Sequence, residues 1–279
     1  MIEVVLVLIG LLWILFASFQ DLKMREVANW LNFSLIVFVL AIRFFYSLFE
    51  SVDFVFFYQG LIGLGIFLVI GNLFYYGRLF GGGDAKLMIA LGCVLPVNFI
   101  FVDNLKIFVL FLALFLIVGS IYGLVWSLAL VLFNFKKFKK VFFRLLVKNK
   151  KSVFASMFFG FWFLIFGFFE PLFFFIAFMF LVMPYFYLYA KAIDDSCMIR
   201  KVLYSKLREG DLLYKSIKLG DKEIKSNWDG LSLSEIKKIK KFKKNVFIRV
   251  GIPFVPVFLI SYTILFYFYF SGFLFRLFI

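Results

Sequence analysis

The sequence predicts an all-α polytopic membrane protein of about eight transmembrane helices, with a small cytoplasmic α+β segment before the last helix. Three observations carry this. Of the 279 residues, 65% are apolar and 23% aromatic, beyond the roughly half apolar of a water-soluble domain. The apolar residues fall in successive runs, each near the roughly 20 residues a helix needs to cross a bilayer. The cations behind the net charge of +15 fall mainly in the connections, as a membrane protein orients itself by its loop lysines and arginines.

The runs cover 2–20, 30–49, 54–76, 85–102, 106–133, 152–169, 172–190 and 247–270. The acidic start, Met1-Ile2-Glu3, differs from the basic start of a cleavable signal peptide, so the first run is expected to be a retained helix. In the third run, Gly60, Gly63, Gly65 and Gly71 offer small surfaces for close helix packing. Glu170-Pro171 divides a very long apolar stretch and reads as a tight turn between two spans.

Connecting charges set the expected orientation. The loop 134–151 holds Lys136, Lys137, Lys139, Lys140, Arg144, Lys148, Lys150 and Lys151 and no acid, which assigns it to the cytoplasm. Alternation then puts the connections bearing Lys23 and Arg25, and Arg78 and Lys86, on the same side, together with 191–246. Glu50, Asp53, Asp103 and Glu170 fall outside, as do both termini. The expected organisation is a membrane helical domain over 1–190, a small cytoplasmic segment over 191–246 and a final transmembrane helix over 247–279.

Within the cytoplasmic segment, Leu212 to Leu219 followed by Gly220-Asp221 reads as a strand and turn. Ser232-Leu233-Ser234-Glu235 has capping-box spacing. Beyond it Ile236, Ile239 and Phe242 form an apolar stripe opposed by Lys237, Lys238, Lys240, Lys241, Lys243 and Lys244. Such a helix is expected to lie along anionic head groups before the last span. Nucleic acid is not an expected partner, since no aromatic platform or recognised fold accompanies the lysines.

The chemistry narrows quickly. The chain has no histidine, which rules out a histidine-based triad or histidine-ligated metal. Cys93 and Cys197 are far apart and lie in different kinds of segment, so no disulfide framework or metal spacing is readable and no cofactor is expected. Ionisable groups beside apolar segments then stand out. The stretch Gly81-Gly82-Gly83-Asp84 delivers one carboxylate onto the start of an apolar run, where an acid is costly and retained for a role. The glycines are expected to permit positive φ and the close approach of another helix or an extended substrate. Asp21 closes the first run, in Gln20-Asp21-Leu22-Lys23-Met24-Arg25.

Two carboxylates sharing a proton can hydrolyse a peptide bond, one taking a proton from water while the other donates to the carbonyl. Taken singly, each residue also has a plain structural role: Asp84 as a helix N-cap, Asp21 as a juxtamembrane acid paired with Arg25 one turn on. By helix dipoles, the helix that Asp84 opens favours its ionised form and the one that Asp21 closes disfavours it, so the shared proton is expected on Asp21.

Asp21-Leu22-Lys23-Met24-Arg25-Glu26-Val27-Ala28-Asn29 after a first helix, with Gly81-Gly82-Gly83-Asp84-Ala85-Lys86-Leu87 before a fourth, resembles the type IV prepilin peptidase family. These class III signal peptidases are polytopic aspartyl proteases with a G-x-G-D motif, matched here by Gly81, Gly83 and Asp84. Gly210-Asp211-Leu212-Leu213 and Gly251-Ile252-Pro253-Phe254-Val255-Pro256 are similar to the archaeal prepilin and preflagellin branch.

The resemblance implies Asp21 and Asp84 as the catalytic pair; Gly81, Gly82, Gly83, Lys86, Arg25, Glu26 and Asn29 are expected to support the substrate or the active site. It implies a pilin-like or archaellin precursor as substrate, cut at the cytoplasmic membrane face behind a short basic leader. Glu26 and Asp211 are expected to line the leader's path, and Lys86 and the lysine-rich loops to engage anionic lipid phosphates. Two departures stand out. The paired CxxC motifs of many bacterial relatives are absent, which speaks against N-methylation, and Ala28 stands where relatives often carry proline. A proton-coupled transporter with a broken helix, or a non-enzymatic membrane assembly factor, remains the alternative class.

Overall fold

The computed structural model describes residues 2–49, 53–219, 222–228, 230–243 and 245–272. Met1, Glu50, the Gly220-Asp221 turn, Lys244 and the end of the last segment lie outside the described residues. The helices are α1 (Ile2–Met24), α2 (Asn29–Phe49), α3 (Val55–Tyr76), α4 (Gly82–Leu91), α5 (Phe101–Phe133), α6 (Phe135–Lys148), α7 (Lys150–Gly167), α8 (Leu172–Ser196), α9 (Leu233–Lys241) and α10 (Val255–Phe270). Five short strands accompany them: β1 (Ile199–Val202), β2 (Leu212–Leu213), β3 (Ile217–Leu219), β4 (Lys222–Ile224) and β5 (Val246–Arg249). Among the described residues, α1, α2, α3, α5, α7 and α8 are long and apolar enough to cross a membrane, and α10 is apolar over 16 residues. The molecule is a polytopic membrane protein. It divides into two compact units, one of residues 1–124 with 252–279 and one of residues 125–251.

In the first unit α1 packs on α10 and α2, and α3 packs on α2 and α4. The glycines of α3 do what small residues do between helices. A Cβ at Gly63 would run into the Gly92 carbonyl, one at Gly71 would stand 2.7 Å from Ile89 Cγ1, and one at Gly60 would stand 2.6 Å from Arg43 Cδ. Gly65 faces open space.

α4 is shorter than the expected 85–102 span. It stops at Leu91, and 92–94 continue as turns before irregular backbone at 95–97, with Pro96 unable to extend a helix. Irregular backbone at membrane depth is tolerated only where its polar groups find partners in protein. Arg43 supplies them. Wholly buried on α2, it donates from Nε to Cys93 O at 3.0 Å, from Nη1 to Phe56 O at 2.9 Å, and from Nη2 to Val94 O at 3.5 Å and to Pro96 O. Its guanidinium also lies 4.5 Å from the Phe56 ring centroid.

The second unit begins within α5, at Val125, and includes the stretch where a plain basic loop was expected. Residues 135–148 instead form α6, whose Phe138, Phe142 and Leu145 pack with Val153, Leu188 and Ala192 while its lysines face outward. The 3.6-residue spacing of those apolar residues makes a helix with one buried face. α7 and α8 pack closely at Gly160, where a Cβ would stand 2.7 Å from Leu181 Cγ. Pro184 sits inside α8 and brings no amide to the carbonyl four residues back. That carbonyl, Phe180 O, accepts a hydrogen bond from Ser156 Oγ of α7 at 2.7 Å.

The polar part of this unit is a three-stranded antiparallel sheet in the order β1-β5-β2, with Ile199 opposite Arg249 and Leu213 opposite Ile248, plus a β3–β4 hairpin. Residues 247–249, expected to open the last span, belong to its central strand. There Val246 and Ile248 are buried and Phe247 is exposed, the two-residue alternation of a strand with one covered face. The expected strand over 212–219 is divided in two at 214–216. α9 has the expected capping box, Ser232 Oγ accepting from Glu235 N and the Glu235 carboxylate from Ser232 N. Its stripe is corrected: Ile236 and Ile239 close the core of Leu207, Leu213, Leu219, Val246 and Ile248, leaving Phe242 exposed. An apolar face already covered by protein is not offered to lipid, so α9 presents lysines there, not an insertable stripe.

Candidate active site

Both aspartates and their neighbours belong to the first unit. α1 ends at Met24, and Arg25 turns the chain with φ 57°, its amide donating to Asp21 O at 2.7 Å. This is a left-handed helix cap made by a non-glycine residue. Asp21 therefore faces inward on the last turn, 5% exposed. Val255, the first residue of α10, donates its amide to Asp21 Oδ2 at 2.9 Å. Proline at 253 and at 256 brings no N–H to this end, and the remaining helix-opening donors turn to the distant carboxylate.

The glycine run starts α4 rather than preceding it. Gly81 is the N-cap with φ −69°, and none of Gly81, Gly82 and Gly83 has positive φ. The expected left-handed glycine is thus absent, because a helix start needs ordinary negative φ. Close approach is present at one position: a Cβ on Gly83 would stand 3.4 Å from Val27 N and 3.5 Å from Val27 Cβ. Gly81 and Gly82 are exposed. Asp84 is the third residue of α4, half-buried, so it is not the N-cap; its carboxylate reaches back to the Gly81 amide. It lies within electrostatic reach of Asp21.

Two further contacts tie the 25–29 connection down. Lys86 Nζ donates to Asn29 Oδ1 at 2.7 Å, where the sequence suggested lipid phosphate, and Ala28 N donates to Gln20 Oε1 at 3.2 Å. The expected site residues Asp21, Asp84, Gly83, Lys86, Asn29 and Arg25 thus gather around the junction of α1, α2 and α4, with Glu26 exposed in the connection. Asp211 lies in the second unit and is occupied there, Oδ2 accepting from Arg208 N at 2.8 Å while burial pushes its carboxyl up.

Sequence reasoning did not find two neighbours of Asp21. One is the Val255 amide, legible only as a proline-flanked helix start far along the chain. The other is Tyr122 of α5, within electrostatic reach of Asp21 and Arg25 and edge-on to Phe254 with centroids 6.4 Å apart. Phe80, Phe115, Phe254 and Phe258 form the apolar floor, Phe115 and Phe258 at 4.6 Å. The dipole expectation changes with α10: Asp21 meets the end of one helix and the amide-bearing start of another, so helix ends no longer separate the two carboxyls.

Residues 8–135, which hold both aspartates, match the model of the type IV leader peptidase family. The chain is 33% identical over 89 residues to a preflagellin peptidase of Methanocaldococcus jannaschii, and 33% identical over 88 residues to one of Methanococcus voltae. It is 30% identical over 89 residues to one of Methanococcus maripaludis. Each alignment covers 32% of this chain and 37 to 38% of the relative, so the chain matches little more than a third of the length of those curated proteins. No solved structure matches it.

Proposed function

We propose, from the match of residues 8–135 to the type IV leader peptidase family, that this chain is a membrane aspartyl endopeptidase. It removes the short basic leader of type IV pilin-like precursors at the cytoplasmic membrane face. Archaellin precursors are the specific alternative, favoured by the similar proteins being preflagellin peptidases.

What supports this most is that Asp21 and Asp84, at the ends of two helices, lie within electrostatic reach of each other, beside an aromatic floor and the backbone amides of Gly81 and Val255. Like charges in such a place cannot both ionise freely, so the pair holds one proton. The ionised carboxyl takes a proton from a water molecule as it attacks the scissile carbonyl. The protonated one donates to the carbonyl oxygen, and the tetrahedral adduct collapses as the first carboxyl passes the water's proton to the leaving nitrogen and the second takes back a hydroxyl proton. In this mechanism the Val255 and Gly81 amides hold the carboxylates in place, and the Lys86–Asn29 hydrogen bond keeps the starts of α4 and α2 together.

The test is cleavage of a pilin-like or archaellin precursor by the detergent-solubilised chain, read as a shortened product. Asp21→Asn and Asp84→Asn are each expected to abolish it, a loss of at least about 100-fold. A wild-type chain without product, or a variant that keeps full cleavage, overturns the assignment; a transporter or assembly factor gives no product in any arm.

A further inference from the structure

Within the second unit, α7 and α8 leave between them a groove of about 450 Å3, within the size range of small-molecule sites. Its two ends differ in chemistry. Met179, Phe180 and Met183 wall one end, and Asn149, Ser152 and Tyr187 line the other. Just past that polar end stands Lys191, one turn beyond Tyr187, with Nζ 3.5 Å from the Tyr187 hydroxyl and 5.6 Å from its ring centroid. Lys148, Lys150 and Lys151 flank Asn149 and Ser152 along the chain and are exposed. No acid occurs anywhere from 134 to 151.

An apolar slot that runs into a mouth of hydroxyl, amide and ammonium donors is shaped for an amphiphile with an anionic head. Water does not suit the walls at the Met179 end, which carry little for it to bond. The one freed carbonyl there, Phe180 O, is already served by Ser156. Charge complementarity selects the head group: the Lys191 ammonium at the mouth, with exposed Lys148, Lys150 and Lys151 beside the lining residues along the chain and Asp194 engaged by Arg249, favours phosphate lipid bearing net negative charge over a zwitterion. We propose that this groove is a binding site for one anionic phospholipid, its acyl chain against Met179, Phe180 and Met183 and its phosphate met by Lys191, Tyr187 and Ser152. The groove is built from residues of the second unit alone and does not depend on the peptidase assignment.

The test uses the full chain purified with phosphatidylglycerol or phosphatidylcholine, retained lipid being counted by native mass spectrometry, with a third arm in inorganic phosphate. Phosphatidylglycerol is expected to remain bound and phosphatidylcholine to be lost. Lys191→Gln is expected to weaken retention about fivefold, the scale of one surface cation near an anionic lipid. Ser152→Glu, at an exposed position, is expected to reverse the preference of the mouth, and Met183→Trp to fill the slot and abolish retention with the helical circular dichroism unchanged. Equal retention of both lipids overturns the proposal, as does phosphatidylglycerol binding untouched by Lys191→Gln and Ser152→Glu together. Displacement of the lipid by millimolar phosphate, or a dimer that closes the groove in place of lipid, overturns it too.

Discussion

Arg43 shows what a single residue decides here. A guanidinium is costly inside a bilayer unless every donor is used, and this one is aimed at the carbonyls of Phe56, Cys93, Val94 and Pro96. It keeps the turn after α4 closed, and α4 carries Asp84. Each carbonyl stripped of its donor costs about 1–3 kcal/mol. Arg43→Leu is therefore expected to lower the thermal midpoint of the solubilised protein steeply and to cut precursor cleavage with it, and Arg43→Lys, which keeps the charge but not the planar fork, to fall in between. A midpoint unchanged in Arg43→Leu contradicts the role. The two aspartates were legible because an acid at the edge of an apolar run is conspicuous. Arg43 is equally conspicuous within the run 30–49, but its partners are carbonyls, which carry no signature in a sequence.

At the scale of elements, period and caps were readable and ends were not. The capping box at Ser232 is an instance of the first: three residues separate a hydroxyl and a carboxylate, and both hydrogen bonds form. Ser232→Ala is expected to destabilise α9 by about 1 kcal/mol, measured as faster amide exchange over 233–241 with α7 and α8 unaffected. Ser156→Ala is the membrane counterpart. It leaves Phe180 O without the hydroxyl that replaces the donor lost at Pro184, and is expected to cost about 1 kcal/mol, read as a lower midpoint that Ser156→Thr restores. Equal midpoints in the alanine and wild-type proteins contradict it. α4, α6 and the start of α10 were placed imperfectly because apolar runs give length without saying where hydrogen bonding stops. Pro96 shortens one run, a phenylalanine spacing turns a basic loop into a helix, and alternation in 246–249 converts a presumed span into a strand.

For the whole molecule the determining quantity is the distribution of charge. Eight cations without an acid at 134–151, against Glu170 at the α7–α8 connection, place those two sites on opposite faces if α7 crosses the bilayer. In a chain with Cys93 and Cys197 replaced, Lys137→Cys is expected to react with an impermeant thiol reagent only from the cytoplasmic side and Glu170→Cys only from the other. Labelling of both from one side overturns the orientation.

Composition, run length and loop charge by themselves determined that this chain is a helical membrane protein, because the bilayer imposes its thickness and its charge bias on any sequence that enters it. Two acids at the ends of apolar runs, and the absence of histidine, likewise narrowed the chemistry. Only the tertiary structure decided what surrounds those acids. The Val255 amide on Asp21, the Val27 backbone against Gly83, the Asn29 amide under Lys86 and the carbonyl cage of Arg43 all join residues distant in sequence. Such contacts arise from packing and from the need of buried backbone groups for partners, and neither leaves a local pattern along the chain.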